Sequence, residues 1–126
     1  MKEEIKNFLA IKMLSSGIVP EIKQLTRRQL FKNAERTGDD KAVVCNSWRD
    51  YWQMFTKQDF PTVCPFCGMP MIEAEVDGCH INVAGVLNGI WSVKKYIIPG
   101  HHRCNMQQGE EFVAKTAVKA VEAIEK

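Results

Sequence analysis

Hydrophobic residues in the first half of the chain recur at helical intervals. This spacing predicts three helices, over residues 3–16, 20–37 and 40–57. The third has the most regular pattern, since its large apolar residues fall on a single stripe of the helix surface: Val44, Trp48, Tyr51, Trp52 and Phe55. We interpret this stripe as part of the hydrophobic core rather than as a surface on which nucleic-acid bases stack.

Beyond residue 60 the pattern changes to short runs rich in β-branched and aromatic residues. Residues 72–76 are predicted to form a short strand. The runs 80–87 and 90–98 are separated by Asn88 and Gly89, and Asn-Gly is the preferred turn of a two-residue β-hairpin. The sequence therefore predicts a hairpin built from these two runs.

The last part of the chain again has helical spacing. A short helix is predicted from about residue 102, and a longer one from residue 110, with apolar positions at Phe112, Val113, Ala117, Ala120, Val121 and Ile124. The predicted fold class is α+β, with N-terminal helices followed by a β-hairpin and a C-terminal helix. We divide the chain into a helical region, residues 1–58, and a second region, residues 59–126, which together form one compact domain.

Composition and charge narrow the functional classes only slightly. The chain has 126 residues, of which 45% are hydrophobic and 25% are charged, as in an ordinary globular domain. Its net charge of +2 is too small to argue for a nucleic-acid partner, although a local basic surface remains compatible with it. The charged N-terminus does not resemble a signal peptide, so we expect a cytoplasmic protein without a membrane partner. The sequence does not indicate the oligomeric state.

Two closely spaced ligand pairs predict a metal site. Cys64 and Cys67 form a C-x-x-C turn followed by glycine, the form of a zinc knuckle. His101 and Cys104 form an H-x-x-C pair, and residues three apart at the start of a helix lie on one face. His102 competes with His101, but its spacing from the cysteine suits the geometry less well. Four nitrogen and sulfur ligands predict a closed structural zinc site, in which the ion holds the hairpin and the following helix together. The isolated Cys45 is interpreted as a buried thiol.

The hairpin turn also predicts which residues approach the zinc ligands. Counting outward from Asn88 and Gly89 places His80 opposite Ile97, a few residues before the zinc-binding pair. A helix that packs across this face of the hairpin would bring its first turn, which contains Asn105, close to His80. The sequence thus predicts a histidine and an asparagine together at a strand–helix junction.

These features resemble the HNH (ββα-metal) nucleases over about residues 64–111. The most similar stretches are Asp-Gly-Cys-His-Ile at residues 77–81 and Ile-Pro-Gly-His-His-Arg-Cys-Asn at residues 98–105. The resemblance implies a treble-clef arrangement of knuckle, hairpin and helix. It also implies that His80 is the general base toward a water molecule and that Asn105 holds a catalytic divalent ion, often Mg²⁺, separate from the structural zinc.

The sequence departs from this family at the second metal position. The family usually has Asp, Glu or His immediately before the general base, whereas this chain has Cys79, and a thiol is a poor ligand for Mg²⁺. Asp77 lies two residues further back, and strand alternation places it on the same side as Cys79. The middle asparagine of the family has no direct counterpart.

Three functional hypotheses follow, and whether the chain is an enzyme stays open at this point. The first is an HNH-type endonuclease that cleaves DNA or RNA, with basic residues of the second predicted helix contacting phosphates: Arg27, Arg28, Lys32 and Arg36. The second is a catalytically inactive treble-clef zinc module that binds nucleic acid or protein. The third is a redox or second metal site at Cys79 and His80, for which the sequence shows no basic neighbour that would lower the thiol pKa.

Overall fold

The computed structural model describes residues 17, 19–35, 37, 41–43, 45–85 and 90–125. Its main element is one six-stranded sheet in the order β1-β6-β4-β3-β2-β5, in which every pairing is antiparallel. The strands are β1 Ile22–Leu25, β2 Leu30–Asn33, β3 Val76–Val83, β4 Tyr96–His101, β5 Glu111–Val113 and β6 Val118–Glu122. The described residues also form two short helices and one 3-10 turn, which are α1 Trp48–Thr56, α2 His102–Asn105 and Glu73–Glu75.

The α+β fold class predicted from the sequence, with its treble-clef arrangement of knuckle, hairpin and C-terminal helix, is therefore wrong, since the described chain is mostly β. The helix predicted over residues 20–37 is replaced by β1, a turn and β2. In that turn Gln29 N–H donates to Thr26 O at 3.1 Å, and Arg28 adopts a left-handed backbone with φ 78°. Glycine is the residue that usually adopts this conformation. Because position 28 is an arginine, the sequence contains no turn signal between the two strands.

The last predicted helix is also wrong, because β5 and β6 occupy its place. β6 lies inside the sheet between β1 and β4, with Val118, Ala120 and Val121 almost completely buried. A strand covered on both faces has neighbouring buried residues rather than strict alternation. Such a run matches the apolar spacing of a helix, which explains the error.

Two other predicted elements differ from the structure in length or type. The helix predicted over residues 40–57 exists only as α1, which begins after the N-cap Ser47, whose hydroxyl accepts a hydrogen bond from Asp50 N–H at 3.3 Å. The strand predicted over residues 72–76 is mostly the 3-10 turn. The helix predicted over residues 3–16 lies outside the described residues.

The hairpin of β3 and β4 has the predicted pairing near its base. His80 pairs with Ile97, as the sequence predicted. Nearer the turn, Ala84 pairs with Trp91, so that four residues on the β4 side oppose two on the β3 side between the two regions of pairing. Asn82 Nδ2 supports this widened segment by donating to Ser92 O at 3.0 Å. The predicted Asn88-Gly89 turn itself lies outside the described residues.

The sheet is covered on both faces. Helix α1 packs on β3, β4 and β6, buries Tyr51 and Trp52, and donates a hydrogen bond from Trp52 Nε1 to Lys119 O at 2.7 Å. The interpretation of the aromatic stripe as core is confirmed for these two residues. Three phenylalanine rings pack together on the opposite face, with centroids 5.0 to 5.7 Å apart: Phe31, Phe66 and Phe112.

The first turn of α1 lies directly against β3. A Cβ atom at Gly78 would overlap the backbone of Trp48 and Arg49, so only glycine allows this approach. The contact places Trp48 over the internal strand β3, beside His80. No helix in the part of the chain that the structure describes is long and apolar enough to cross a membrane.

Candidate metal centre and adjacent cavity

Four side chains from two distant segments meet at one end of the sheet. The sulfur atoms of Cys64, Cys67 and Cys104 and a ring nitrogen of His101 all lie within 4.8 Å of one another. Cys64, Cys104 and His101 are buried, with at most 3% of their surface exposed, and Cys67 is partly exposed. The structure thus brings together the four residues that the sequence proposed as zinc ligands.

The first two ligands are oriented by a tight turn. Cys64 N–H donates to Met69 O at 2.9 Å, and Gly68 N–H donates to Cys64 O at 2.8 Å. Gly68 has a φ of +78°, a conformation that a residue with a side chain would adopt only with strain. The turn therefore needs this glycine in order to direct both thiols toward the same point.

The other two ligands are placed by the junction of β4 and α2. His101 is the last residue of β4, and its backbone N–H donates to Cys64 Sγ at 3.4 Å. Its Nδ1 lies 3.3 Å from Cys67 Sγ, whereas its Nε2 lies 3.1 Å from Pro70 O. Because the carbonyl can only accept, it favours a proton on Nε2 and leaves the Nδ1 lone pair for a metal ion.

The electrostatic environment of the thiols favours a bound cation. Burial opposes ionisation of Cys67, but hydrogen bonds from the Met69 amide and the Arg103 guanidinium help to lower its pKa to about 6. Burial, together with the negative charges of Cys64 and Cys67, raises the pKa of Cys104 to about 12. Three thiolates at such close range repel one another, and a divalent cation between them would remove that repulsion.

The four residues fit a zinc ion by ligand type and by spacing. Zinc prefers thiolate and imidazole ligands in a tetrahedron, with Zn–S distances of about 2.3 Å and hence ligand separations of about 3.8 Å. The observed separations of up to 4.8 Å require only small side-chain movements to reach this arrangement. These residues can therefore hold a metal ion such as zinc.

His102 and Cys45 lie outside this cluster. His102 is exposed, and its Nδ1 lies 2.6 Å from Asp77 Oδ2. Cys45 is half-buried and contacts Met54, with its Sγ 3.8 Å from the thioether sulfur. Of the two neighbouring histidines, His101 is thus the one that joins the cysteines.

A cavity of about 250 Å³ lies beside the metal centre. It is lined by Thr37, Trp48, Gly78, His80, Asn105, Met106 and Gln108. His80 is 4% exposed, and its ring packs edge-on against Trp48 with the centroids 4.6 Å apart. His80 and Asn105, which sequence reasoning selected together, therefore line the same cavity. Trp48 was assigned only to the core stripe, and its position beside His80 had no signal in the sequence.

The carboxylate of Asp77 adjoins this cavity through Asn105. Asn105 Nδ2 donates to Asp77 Oδ2 at 3.1 Å, and that oxygen also contacts His102. Cys79 lies elsewhere, fully buried, with its Sγ 3.6 Å from Asp77 O. Burial and the nearby negative charge of Asp77 raise the pKa of Cys79 well above its usual value. The redox hypothesis requires a lowered thiol pKa, so this environment argues against it.

The arrangement combines a cluster of four candidate ligands with an adjacent polar cavity, since Asn105 follows Cys104 directly. The basic helix face expected from residues 20–37 does not exist, because Arg27 and Arg28 lie in the turn between β1 and β2, while Lys32 lies over the Trp91 ring. Arg36 lies outside the described residues. Comparison of the chain with protein-family models, with curated proteins and with solved structures gave no match.

Proposed function

We propose that this chain is a zinc-stabilised nuclease that cleaves phosphodiester bonds in DNA or RNA with the help of a divalent cation. The observation that carries the proposal is the shared cavity of His80 and Asn105, with the Asp77 carboxylate hydrogen-bonded to Asn105. A base and an amide line the cavity, and the carboxylate adjoins it through its hydrogen bond with the amide. The sequence resemblance to HNH nucleases supports the same assignment of roles.

The zinc ion has a structural role in this proposal. All four of its ligands are protein side chains, and three of them are buried, so no position is left for water or substrate. The ion would hold the knuckle, β4 and α2 in one arrangement. It thereby fixes the position of Asn105, the residue that follows the ligand Cys104.

His80 acts as the general base in this proposal. It lies on β3, where the pairing with Ile97 and the edge contact with Trp48 fix the ring in place. A neutral imidazole held in this way can accept a proton from a water molecule as the water attacks the phosphorus atom. Such a positioned base contributes a rate factor of about 10² to 10⁴.

Asp77 and Asn105 are the residues that would hold the divalent ion. Asp77 offers a carboxylate oxygen, and Asn105, whose Nδ2 faces Asp77 in this structure, would offer its amide oxygen after rotation of the side chain. Both ligand types suit Mg²⁺, which keeps several water ligands of its own. A bound ion would stabilise the negative charge that develops on the phosphodiester and on the leaving oxygen. Asp77 thus replaces the residue before His80 as the acidic ligand, since the Cys79 thiol is buried away from the cavity.

A nicking assay tests this function. The parent protein is incubated with supercoiled plasmid DNA or with labelled RNA, with Mg²⁺, Mn²⁺ or Ni²⁺ in turn. We expect cleavage that His80→Ala lowers by about 10² to 10⁴-fold. Asn82→Ala is the matched control, because Asn82 lies two residues along the same strand and its side-chain amide donates to the widened segment of the hairpin. Its cleavage rate should stay within a few-fold of the parent.

The assay also separates the second candidate function. Cleavage that is absent, or equal in the parent and His80→Ala, contradicts the nuclease assignment. Salt-dependent nucleic-acid binding without cleavage would then support a non-catalytic zinc module, in agreement with the buried thiol at the residue before His80.

A further inference from the structure

One asparagine on β2 contacts the backbone of the segment that follows the metal centre. Asn33 is 1% exposed. Its Nδ2 lies 3.1 Å from Cys104 O, 3.0 Å from Asn105 O and 3.0 Å from Gln107 O. Cys104 is a metal ligand and Asn105 lines the cavity, so a single side chain contacts the backbone of both sites.

The backbone of Asn33 binds the same segment from the other side. Its N–H donates to Glu110 O at 2.9 Å, and its carbonyl accepts from Gly109 N–H at 2.8 Å. Residues 104–110 are therefore attached to β2 by both the main chain and the side chain of one residue. β2 in turn pairs with β3, the strand that carries His80.

The chemistry of this contact is specific to an amide. Cys104 O already accepts the backbone N–H of Gln107 at 3.1 Å, and Gln107 O accepts that of Glu110 at 3.3 Å. The Asn33 amide gives both carbonyls a further donor and also donates to Asn105 O. The NH₂ group of asparagine has two hydrogens on one neutral atom, so it can serve several oxygens at once. The three carbonyls also fix the orientation of the amide, because the reverse orientation would place Oδ1 against them.

We propose that Asn33 is a positioning residue, which sets the orientation of Cys104 in the metal centre and of Asn105 in the cavity. It contacts neither the metal ligands' donor atoms nor the substrate, and acts through the carbonyl groups of these two residues. The proposal rests on the proposed metal centre. It does not require that the chain cleaves nucleic acid.

Metal binding provides the test, since a loss of stability alone would not change the Co²⁺ absorption bands of the folded protein. The full-length protein without metal is titrated with Co²⁺, whose visible absorption bands report the geometry of a thiolate site, and then with Zn²⁺ in competition with a chromogenic chelator. Asn33→Asp keeps the shape but replaces the donor with a carboxylate that faces three carbonyls. We expect about 10 to 100-fold weaker binding of both ions and altered Co²⁺ bands.

Asn82 provides the matched control. Its Nδ2 also donates to loop carbonyls, Ser92 O at 3.0 Å and Lys94 O at 3.5 Å, but these lie in the hairpin rather than next to a ligand. Asn82→Asp should lower stability and leave the Co²⁺ bands and the affinity for both ions unchanged. Should Asn33→Asp not fold, Asn33→Ser retains one smaller donor and is expected to show the same change in weaker form.

The outcomes distinguish this inference from the proposed function. Unchanged Co²⁺ bands and metal affinity in the folded Asn33 variants would overturn the positioning role and leave the metal centre intact. A parent protein that binds neither ion would overturn both proposals. Weakened binding in the Asn33 variants, from a parent that cleaves no nucleic acid, would support the positioning role and contradict the nuclease.

Discussion

Cysteine has three different environments in this protein, and each gives the thiol a different chemistry. Cys67 is partly exposed and accepts hydrogen bonds from an amide and a guanidinium, which help to lower its pKa to about 6. Cys79 is fully buried without such donors, and burial raises its pKa. Cys45 lies between these cases, since burial and then the charge of Asp50 raise its pKa to about 12. The lowered pKa thus occurs at the thiol that has hydrogen-bond donors beside it.

The raised pKa of Cys45 leads us to expect that the stability of the protein depends on pH. Its pKa is about 12 in the folded protein and 9.0 without the fold, so the neutral thiol stabilises the folded state below pH 9. This contribution is lost as the pH rises from 9 toward 12. We expect the free energy of unfolding to fall between pH 8 and pH 10, and Cys45→Ala to reduce that fall by about 1 kcal/mol or less, since solvent screens the half-exposed thiol.

Urea denaturation of both proteins at the two pH values measures this difference. Groups other than Tyr51, whose pKa the charge of Cys45 also raises, contribute equally to the parent and the variant. An identical pH dependence in the two proteins would contradict the raised pKa of Cys45.

At this scale the sequence predicted the metal ligands better than the residues that hold them. Cys64, Cys67 and the H-x-x-C pair stood out because metal chemistry demands these residue types at short spacings. Asn33 had no such signal, as its partners lie 71 to 74 residues away and are backbone atoms, which have no sequence pattern. Positioning by backbone contacts of this kind becomes visible only in the folded structure.

The secondary-structure elements show where short-range pattern reasoning fails. The hairpin of β3 and β4 was predictable, because a turn signal and β-branched runs agreed with each other. β1, β2, β5 and β6 were read as helices, since each is short and the burial of neighbouring residues in an internal strand resembles helical spacing. Tertiary pairing with distant strands decides these segments, and a local window does not contain that information.

The close approach of α1 to β3 predicts the effect of a single methyl group. At Gly78 an added Cβ would meet the backbone of Trp48 and Arg49, which cannot move without displacing the helix. We expect Gly78→Ala to destabilise the protein by about 1 to 3 kcal/mol and to disturb the cavity beside His80.

Gly85 serves as the control for this substitution. An added Cβ there would lie 3.4 Å from Ile90 O, an ordinary contact at an exposed position of the same hairpin. Denaturant unfolding should place Gly85→Ala within about 0.5 kcal/mol of the parent. Equal stability of the two variants would show that α1 does not pack on β3 in this way.

At the scale of the whole molecule, a metal ion held by these four side chains would join the knuckle to the junction of β4 and α2. The knuckle lies in the long connection between α1 and β3. His101 is the last residue of the internal strand β4, and Cys104 lies in the helix α2 that follows it. A zinc ion that binds only the folded state would stabilise it by about 4 kcal/mol at a thousandfold excess over Kd.

Removal of one ligand tests this contribution. We expect about one zinc per chain in the purified parent, and zinc loss with a lower thermal midpoint in Cys64→Ser. Cys45→Ser should retain the zinc, because Cys45 lies outside the cluster. Zinc content is measured by metal analysis and stability by thermal unfolding, and full zinc retention in Cys64→Ser would contradict the proposed ligand set.

The internal position of β6 has a consequence for how the chain assembles. This strand follows all the others in sequence, yet it sits between β1 and β4 and hydrogen-bonds to both. Until residues 118–122 have joined, the inner edges of two strands remain open to other chains, and unpaired edges of this kind promote aggregation. The knuckle, hairpin and α2 all precede β6, so a zinc ion can order that part of the molecule while the sheet is still incomplete.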